Sequence, residues 1–206
     1  MRRFLIAALA TLAVFGAQAQ SEKSADKTAD KPVEVAGVKF DATETIGGQK
    51  VLLNGAGIRY KFIIKVYAAG LYLAAKTSSP EGVVTAAGNK RLRIVALRDI
   101  DGNDLGKLFT KGIESNNTRE EFVKAINGML KISEMFATRR ELKKGESFSV
   151  DYIPGTGTVV SINGVTQGEP IKEPEFYSAF LHIWLGKNPP DAQLKDKLLG
   201  IQSQRN

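Results

Sequence analysis

The sequence predicts an α+β fold, an antiparallel β-sheet with helices layered on one face. Three observations carry this expectation. Short stretches of alternating or β-branched apolar residues fall into two groups, residues 33–75 and 147–166, with a further strand at 91–97. Stretches with helical apolar spacing lie between and after them, near 104–130 and 174–199. Turn dipeptides punctuate the strands, Asn163-Gly164 being the strongest two-residue hairpin signal. Strands in runs and helices in runs favour helices segregated to one side of a sheet. The reading amounts to five to seven strands and about four helices, with no internal repeat.

Taken in order, the chain opens MRRFLIAALATLAVFGAQA. Arg2 and Arg3 precede an uncharged apolar run, and Ala17-Gln18-Ala19 supplies small residues two apart, the order of a secretory signal. The apolar run of about 12 residues is short of the roughly 20 that a spanning helix needs. Cleavage after Ala19 by the general secretory route is expected, with an uncleaved anchor as the alternative. No cysteine follows the site, so lipid attachment there is not expected. The address implied is the bacterial periplasm, full secretion being the other outcome. Residues 20–32, QSEKSADKTADKP, lack large apolar side chains and read as a flexible leader. A domain over 33–200 and a short tail over 201–206 complete the chain.

Within the domain, VEVAGVKFDATETI alternates as strands do, Gly47-Gly48 turns, and Asn54-Gly55 is a second turn signal. Residues 59–73 are apolar at nearly every position, which predicts a strand covered on both faces. Residues 76–90 read as a loop or short helix. Asp104 is a candidate cap for a helix whose Leu105, Leu108, Phe109, Gly112 and Ile113 share a face. Asn116-Asn117 interrupts it. Thr118 and Glu121 form a capping-box pair before a helix with Phe122, Ala125, Ile126, Met129 and Leu130 on its buried stripe. SFSVDYI and TVVSI pair across Pro154-Gly155, and a short strand through Thr166 follows Asn163-Gly164. Pro174 suits a helix start, with Phe176, Ala179, Phe180, Ile183 and Trp184 facing the core and Gly186 closing it. A last helix spans about 191–199.

Composition narrows the chemistry. There are no cysteines, which excludes disulfides, thiol catalysis and thiolate metal sites. One histidine, His182, removes multi-histidine metal centres, and it lies off the apolar face of its helix, at a rim or in solvent. The formal net charge of +7 falls to +5 once Arg2 and Arg3 are removed. The remaining basic residues are scattered among acidic ones, as in Arg139-Arg140 and Lys143-Lys144 beside Glu141 and Glu146, so a solvated face is expected and nucleic acid is not. No phosphate-binding glycine motif is present, and no cofactor is expected.

Two segments carry a resemblance. GAGIRYKFIIKVYAAGLYL over 55–73 and EPIKEPEFYSAFLHIWLGKNPPDAQLKDKLLG over 169–200 resemble the chalcone isomerase superfamily, in its secreted bacterial branch. In order and at suitable spacing, they extend the likeness over about 33–200. The resemblance implies an open-faced sandwich with a ligand cleft between sheet and helices. It also implies site positions. The arginine that holds an anion in the plant enzymes matches Arg59. A threonine on the following strand is replaced by Tyr67. The plant tyrosine and asparagine fall on Leu105 and Gly112, which cannot do their chemistry. A ligand-contacting threonine falls on Thr166. Read without the resemblance, Arg59 is a surface or ion-pair residue, and Tyr67 and Thr166 are ordinary strand residues.

The losses at Leu105 and Gly112 argue against flavonoid cyclisation. The fatty-acid-binding branch, with an arginine and a tyrosine on a carboxylate, fits Arg59 and Tyr67 better. The leading expectation is therefore a non-catalytic periplasmic binder of a fatty acid or similar apolar carboxylate. The alternatives are an isomerase or intramolecular lyase acting on a phenolic or enone substrate, and an interaction module that keeps the fold without the cleft.

Overall fold

The elements are set out from a computed structural model that describes residues 31–201. The expected signal segment, the leader up to residue 30 and the last five residues lie outside the described residues. In chain order the elements are β1 (Val33–Val35), β2 (Val38–Phe40), β3 (Thr43–Ile46), β4 (Gln49–Lys61), β5 (Ile64–Leu73), α1 (Pro80–Thr85), β6 (Lys90–Ala96), β7 (Ile100–Asp101), α2 (Gly102–Asn116), α3 (Arg119–Arg139), β8 (Glu141–Leu142), β9 (Ser147–Ile153), β10 (Gly157–Ile162), β11 (Val165–Thr166), α4 (Pro174–Leu185) and α5 (Ala192–Leu198). Seven strands form one sheet in the order β11-β10-β9-β6-β5-β4-β3, every pairing antiparallel. The pairs β1-β2 and β7-β8 stand apart from it.

Strand β5 explains the layering. Its alternate residues Tyr67, Ala69, Leu71 and Leu73 face the helices and belong to the main core with Phe109, Phe136, Phe148, Phe180 and Trp184. Ala68 and Tyr72 face the other way, into a smaller core built with Phe40 of β2. Gly70 lies beneath that phenylalanine, and a Cβ there would come within 2.5 Å of the ring. The expectation of a strand covered on both faces holds for β5. The main core is aromatic at its centre. Phe109 packs against Phe136, Phe148, Phe180 and Trp184 with ring centroids 5.5–6.0 Å apart, a spacing that favours tilted and edge contacts.

The helix ends follow their local chemistry. Thr118 and Glu121 form the reciprocal capping box at the start of α3. Asp101, not Asp104, caps α2, its carboxylate accepting the backbone N–H of Asp104 at 3.0 Å. The helix therefore begins earlier than the apolar spacing alone indicated. Leu108 and Leu130, expected on buried stripes, are 60% and 59% exposed. The Asn163-Gly164 hairpin forms, with φ of +52° and +79°, the left-handed pair such a turn needs.

Two turn expectations are corrected. Asn54-Gly55 is not a turn but a bulge inside the 13-residue strand β4. The Asn54 side chain is buried, donates to the carbonyls of Thr77 and Leu198, and accepts the N–H of Thr77, so it ties β4 to the chain on either side. The real turn is Phe62-Ile63, between β4 and β5, in a stretch read as continuous strand. Both residues stand out from the sheet, 90% and 93% exposed.

Candidate functional site

Arg59 and Tyr67 are directly opposed across the β4-β5 ladder. Directly opposed residues share a face with Cβ atoms about 4.5–5.5 Å apart. The shared face is the one toward α2 and α4. There the sheet and helices part to leave a cleft of about 310 Å³, lined by Arg59, Lys61, Tyr67, Leu105, Leu108, Phe109, Lys111, Gly112, Trp184 and Pro190 among others. Small-molecule sites commonly span about 300–1,000 Å³ with apolar walls and a few aimed polar groups. The described lining carries three cations and no carboxylate. Larger grooves run elsewhere, including one of about 870 Å³ between α2 and α3, and each is more open to solvent than this cleft.

The cleft exists because backbone and small residues set its walls. Gly112 of α2 sits against α4, where a Cβ would come within 2.8 Å of Ile183 Cγ2. Helix α5 lies directly on β4 at Gly55 and Gly57; a Cβ on Gly57 would meet the Lys197 Cβ at 2.7 Å. That close seat brings Asp191, the cap of α5, to the strand. One Asp191 oxygen accepts the N–H of Leu194 at 3.1 Å, and the other accepts the N–H of Tyr60 at 2.9 Å. The same carboxylate lies 4.0 Å from Arg59 Nη1, an ion pair beyond hydrogen-bond reach. The Arg59 side chain is only 20% exposed, and it makes no hydrogen bond to a described residue. It is a partly buried guanidinium beside a carboxylate, with N–H groups that no described residue accepts.

Tyr67 is similarly poised. Trp184 Nε1 donates to its hydroxyl oxygen at 2.8 Å. The hydroxyl hydrogen has no acceptor among the described residues and is free to donate. Burial pushes the phenol up to about 12, against the lowering pull of the Trp184 hydrogen bond and of Arg59. The group is therefore a neutral donor at any physiological pH. Arg59 and Tyr67 thus bring together on one face the donor types that pair with a carboxylate or other planar anion.

The expected site residues divide cleanly. Arg59 and Tyr67 come together in the cleft. Leu105 and Gly112 also line it, and neither brings a functional group. Thr166 does not join them: it is exposed on β11, the strand at the opposite edge of the sheet from β4. The edge hairpin directs it to solvent, and it has no part in this cleft. His182 is half-buried at a separate spot, its Nδ1 2.7 Å from Asn117 Oδ1.

Lys61, Lys111, Asp191 and the indole N–H of Trp184 were not singled out as site groups from the sequence. Trp184 reads as a core residue, and it is one. Its polar edge gains a role only because α4 lays it against Tyr67, a partner 117 residues away. Asp191 carries a local signal, the cap of a last helix, but its grip on Tyr60 is tertiary.

Comparisons with known proteins add the following. A family model described as chalcone isomerase-like matches residues 32–200. Among solved structures, a fatty-acid binding protein of Arabidopsis thaliana is similar, with a TM-score of 0.60 and 17% sequence identity, over 79% of this chain and 92% of that one. At that identity the likeness speaks for the fold. No curated protein sequence matches.

Proposed function

The chain belongs to the chalcone isomerase-like family, and from that premise we propose that it is an exported, non-catalytic carrier that binds a fatty acid or similar apolar carboxylate in the cleft between sheet and helices. The observation that carries the reading is a pair of donors that no described residue accepts from, the Arg59 guanidinium and the Tyr67 hydroxyl hydrogen, in a cleft whose walls include Leu105, Phe109, Ile183 and Trp184. A carboxylate seated there takes up the N–H groups that Asp191 leaves free, and exclusion of water strengthens the contact. The tail lies along Leu105, Phe109 and Trp184, gaining about 0.8 kcal/mol per buried CH₂. The cleft volume is at the low end for such sites, which favours a short or medium chain over a long one.

The fatty-acid binding protein of similar fold supports the reading by analogy. Against isomerase chemistry stand Leu105 and Gly112, which bring neither a hydroxyl nor an amide at the positions the family motif assigns to them, while the amide that does line the cleft, Asn188, already donates to the Ser115 carbonyl at 2.9 Å. Export to the periplasm rests on the N-terminal signal pattern alone.

The test is mass spectrometry of lipids extracted from the protein purified from the periplasm, beside an Arg59→Ala variant, followed by calorimetric titration of the stripped proteins with decanoate. A stoichiometric acidic lipid in the wild type, absent from the variant, and binding of decanoate weakened at least about tenfold by the substitution support the reading. No acidic lipid and no decanoate binding by the wild type would overturn it, and turnover of a chalcone would replace it with the isomerase.

A further inference from the structure

The β4-β5 hairpin ends in an unusual tip. Two-residue hairpin turns favour glycine, asparagine and aspartate. Here the turn is Phe62-Ile63, with Phe62 in the left-handed region at φ +57°, a backbone that bulky side chains rarely adopt. The two side chains are 90% and 93% exposed, and Ile64 beside them is 45% exposed. Nothing in the fold rests on them. The sequence around the tip, Lys61-Phe62-Ile63-Ile64-Lys65, contains no acidic residue, and both lysines are exposed. On the neighbouring helix, Leu108 is 60% exposed between exposed Lys107 and Lys111. Lys61, Leu108 and Lys111 belong to the lining of the cleft, so the apolar tip and the cleft mouth are at one end of the molecule.

We propose that the Phe62-Ile63 hairpin tip docks the protein on an anionic lipid surface, with Lys61 and Lys65 on the headgroups and the cleft mouth turned toward the bilayer. The shape selects this occupant over a second copy of the chain. A stable protein interface needs about 800 Å² from each partner, whereas an aromatic side chain buries only about 150–250 Å² and this tip offers one, with two isoleucines. A narrow apolar protrusion instead inserts its side chains at the level of the acyl-chain boundary, while flanking lysines stay among the phosphates. The charge fits as well: the five tip residues carry two exposed lysines and no acid, which matches an anionic surface that attracts each lysine within a Debye length. This is surface attachment, distinct from spanning; no helix among the described residues is long and apolar enough to cross a membrane.

Docking stands independently of what the cleft holds, and only the consequence that an acyl ligand passes directly between bilayer and cleft rests on the proposed function. The test therefore uses stripped protein without ligand. Mature wild type is sedimented with vesicles of phosphatidylglycerol and phosphatidylcholine, and with phosphatidylcholine alone, beside Phe62→Ser/Ile63→Ser and Lys61→Gln/Lys65→Gln variants. The substitutions lie on exposed side chains, and circular dichroism checks that the fold is kept. The expected result is binding to the anionic vesicles, weakened by added salt, and reduced at least about tenfold by either pair of substitutions. Failure of the wild type to bind anionic vesicles, equal binding to both vesicle types, or unchanged binding by the Ser pair overturns the proposal. So does a wild-type dimer in sedimentation velocity that the Ser pair dissolves without any vesicle binding, which assigns the tip to self-association. Decanoate titration of the Ser pair keeps the two readings apart: the variant is expected to bind decanoate as wild type does, whichever way the vesicle result falls.

Discussion

Tyr67 shows how one side chain packs in the core and still keeps a donor. Its ring is in the core, its oxygen accepts from Trp184, and its hydrogen meets no acceptor among the described residues. Replacing it with phenylalanine keeps the ring and removes both polar contacts. A hydrogen bond to a charged acceptor contributes about 1.5–3 kcal/mol, so Tyr67→Phe is expected to weaken decanoate binding by about ten- to 150-fold. The buried indole N–H loses its acceptor as well, which lowers unfolding stability by about 1–3 kcal/mol. Calorimetric titration and urea unfolding separate the two effects; a variant that binds and unfolds like wild type would show the hydroxyl to be idle. Titration gives a second check. Burial raises the phenol from 10.0 to about 12 in the fold. The folded state keeps its proton where the unfolded chain releases it, so the stability tied to the neutral phenol is intact below about pH 10 and lost as pH rises through about 12. Alkaline unfolding in that window is expected to be less steep in Tyr67→Phe than in wild type. Arg59 and Tyr67 were joined in the sequence only through the family motif; their opposition across β4 and β5 was not legible, because 59–73 reads as one strand and the Phe62-Ile63 turn carries no turn signal. Thr166 was not placed correctly, since its match depended on counting residues back through loops, where register is not preserved. Asp191 and the Trp184 edge were illegible for a different reason: their roles arise from contacts over 131 and 117 residues.

At the scale of elements, the glycines of β4 do their work by absence. The sequence presents Gly55 and Gly57 as parts of a turn signal and a family motif, and the structure makes them the seat of α5. Gly57→Ala places a Cβ 2.7 Å from Lys197 Cβ and 3.1 Å from Leu194 Cδ1. The helix must move, and overpacking of this kind costs about 1–3 kcal/mol. Because Asp191 begins that helix and lies behind Arg59, the displacement is expected to weaken ligand binding as well. Gly106→Ala is the contrasting case. It lies within α2, and the nearest atom to the added Cβ is Ser133 Cα at 3.7 Å, an ordinary contact. Removing a glycine from a helix gains up to about 1 kcal/mol, so this variant is expected to unfold later than wild type in urea. Equal effects from the two substitutions would contradict the close seat of α5. The same contrast explains what could be read of the elements. Helices α2 to α4 and strands β9 to β11 follow from periodicity and caps, which depend on neighbours in sequence. Asn54-Gly55 misleads because its turn statistics are local while Asn54 is satisfied by Thr77 and Leu198, 23 and 144 residues away. Phe62-Ile63 escapes notice because its composition is that of a strand interior.

Over the whole molecule, the face of the sheet away from the helices is held by charge as much as by its small apolar core. Arg91 of β6 donates to both oxygens of Asp151 on β9, at 2.7 and 2.5 Å, and to Glu44 on β3 at 2.5 Å. It thereby links an edge strand to the far half of the sheet across β4 and β5. Burial works to lower the Arg91 pKa, but the hydrogen bonds and charges of Asp151 and Glu44 outweigh it and hold the guanidinium above its ordinary range. Asp151 shows the cost of the arrangement: burial raises its carboxyl despite the arginine beside it. Removing one member of a buried ion group costs about 3–5 kcal/mol, because it leaves the others desolvated and unpaired. The side chains here are 22%, 17% and 6% exposed for Arg91, Glu44 and Asp151, which puts Arg91→Met near the lower bound, about 3 kcal/mol. The pH dependence identifies the cause. Without Arg91, only burial and the neighbouring Glu44 charge act on Asp151, and both raise it. A carboxyl raised in the fold favours folding below its unfolded pKa and loses that advantage as pH rises through its folded value. The deficit of Arg91→Met is therefore expected to be larger at neutral pH than in mild acid, where Asp151 takes up a proton. Adding Glu44→Gln and Asp151→Asn removes the stranded Asp151 charge and that of Glu44, whose remaining partner is the more exposed Arg93 at 3.7 Å, and is expected to restore most of the loss at neutral pH. Urea unfolding of the single and triple variants at the two pH values measures both effects. A deficit that is independent of pH and survives in the triple variant would mean that Arg91 acts through the packing of its aliphatic stem, and that charge does not hold the two halves of the sheet together.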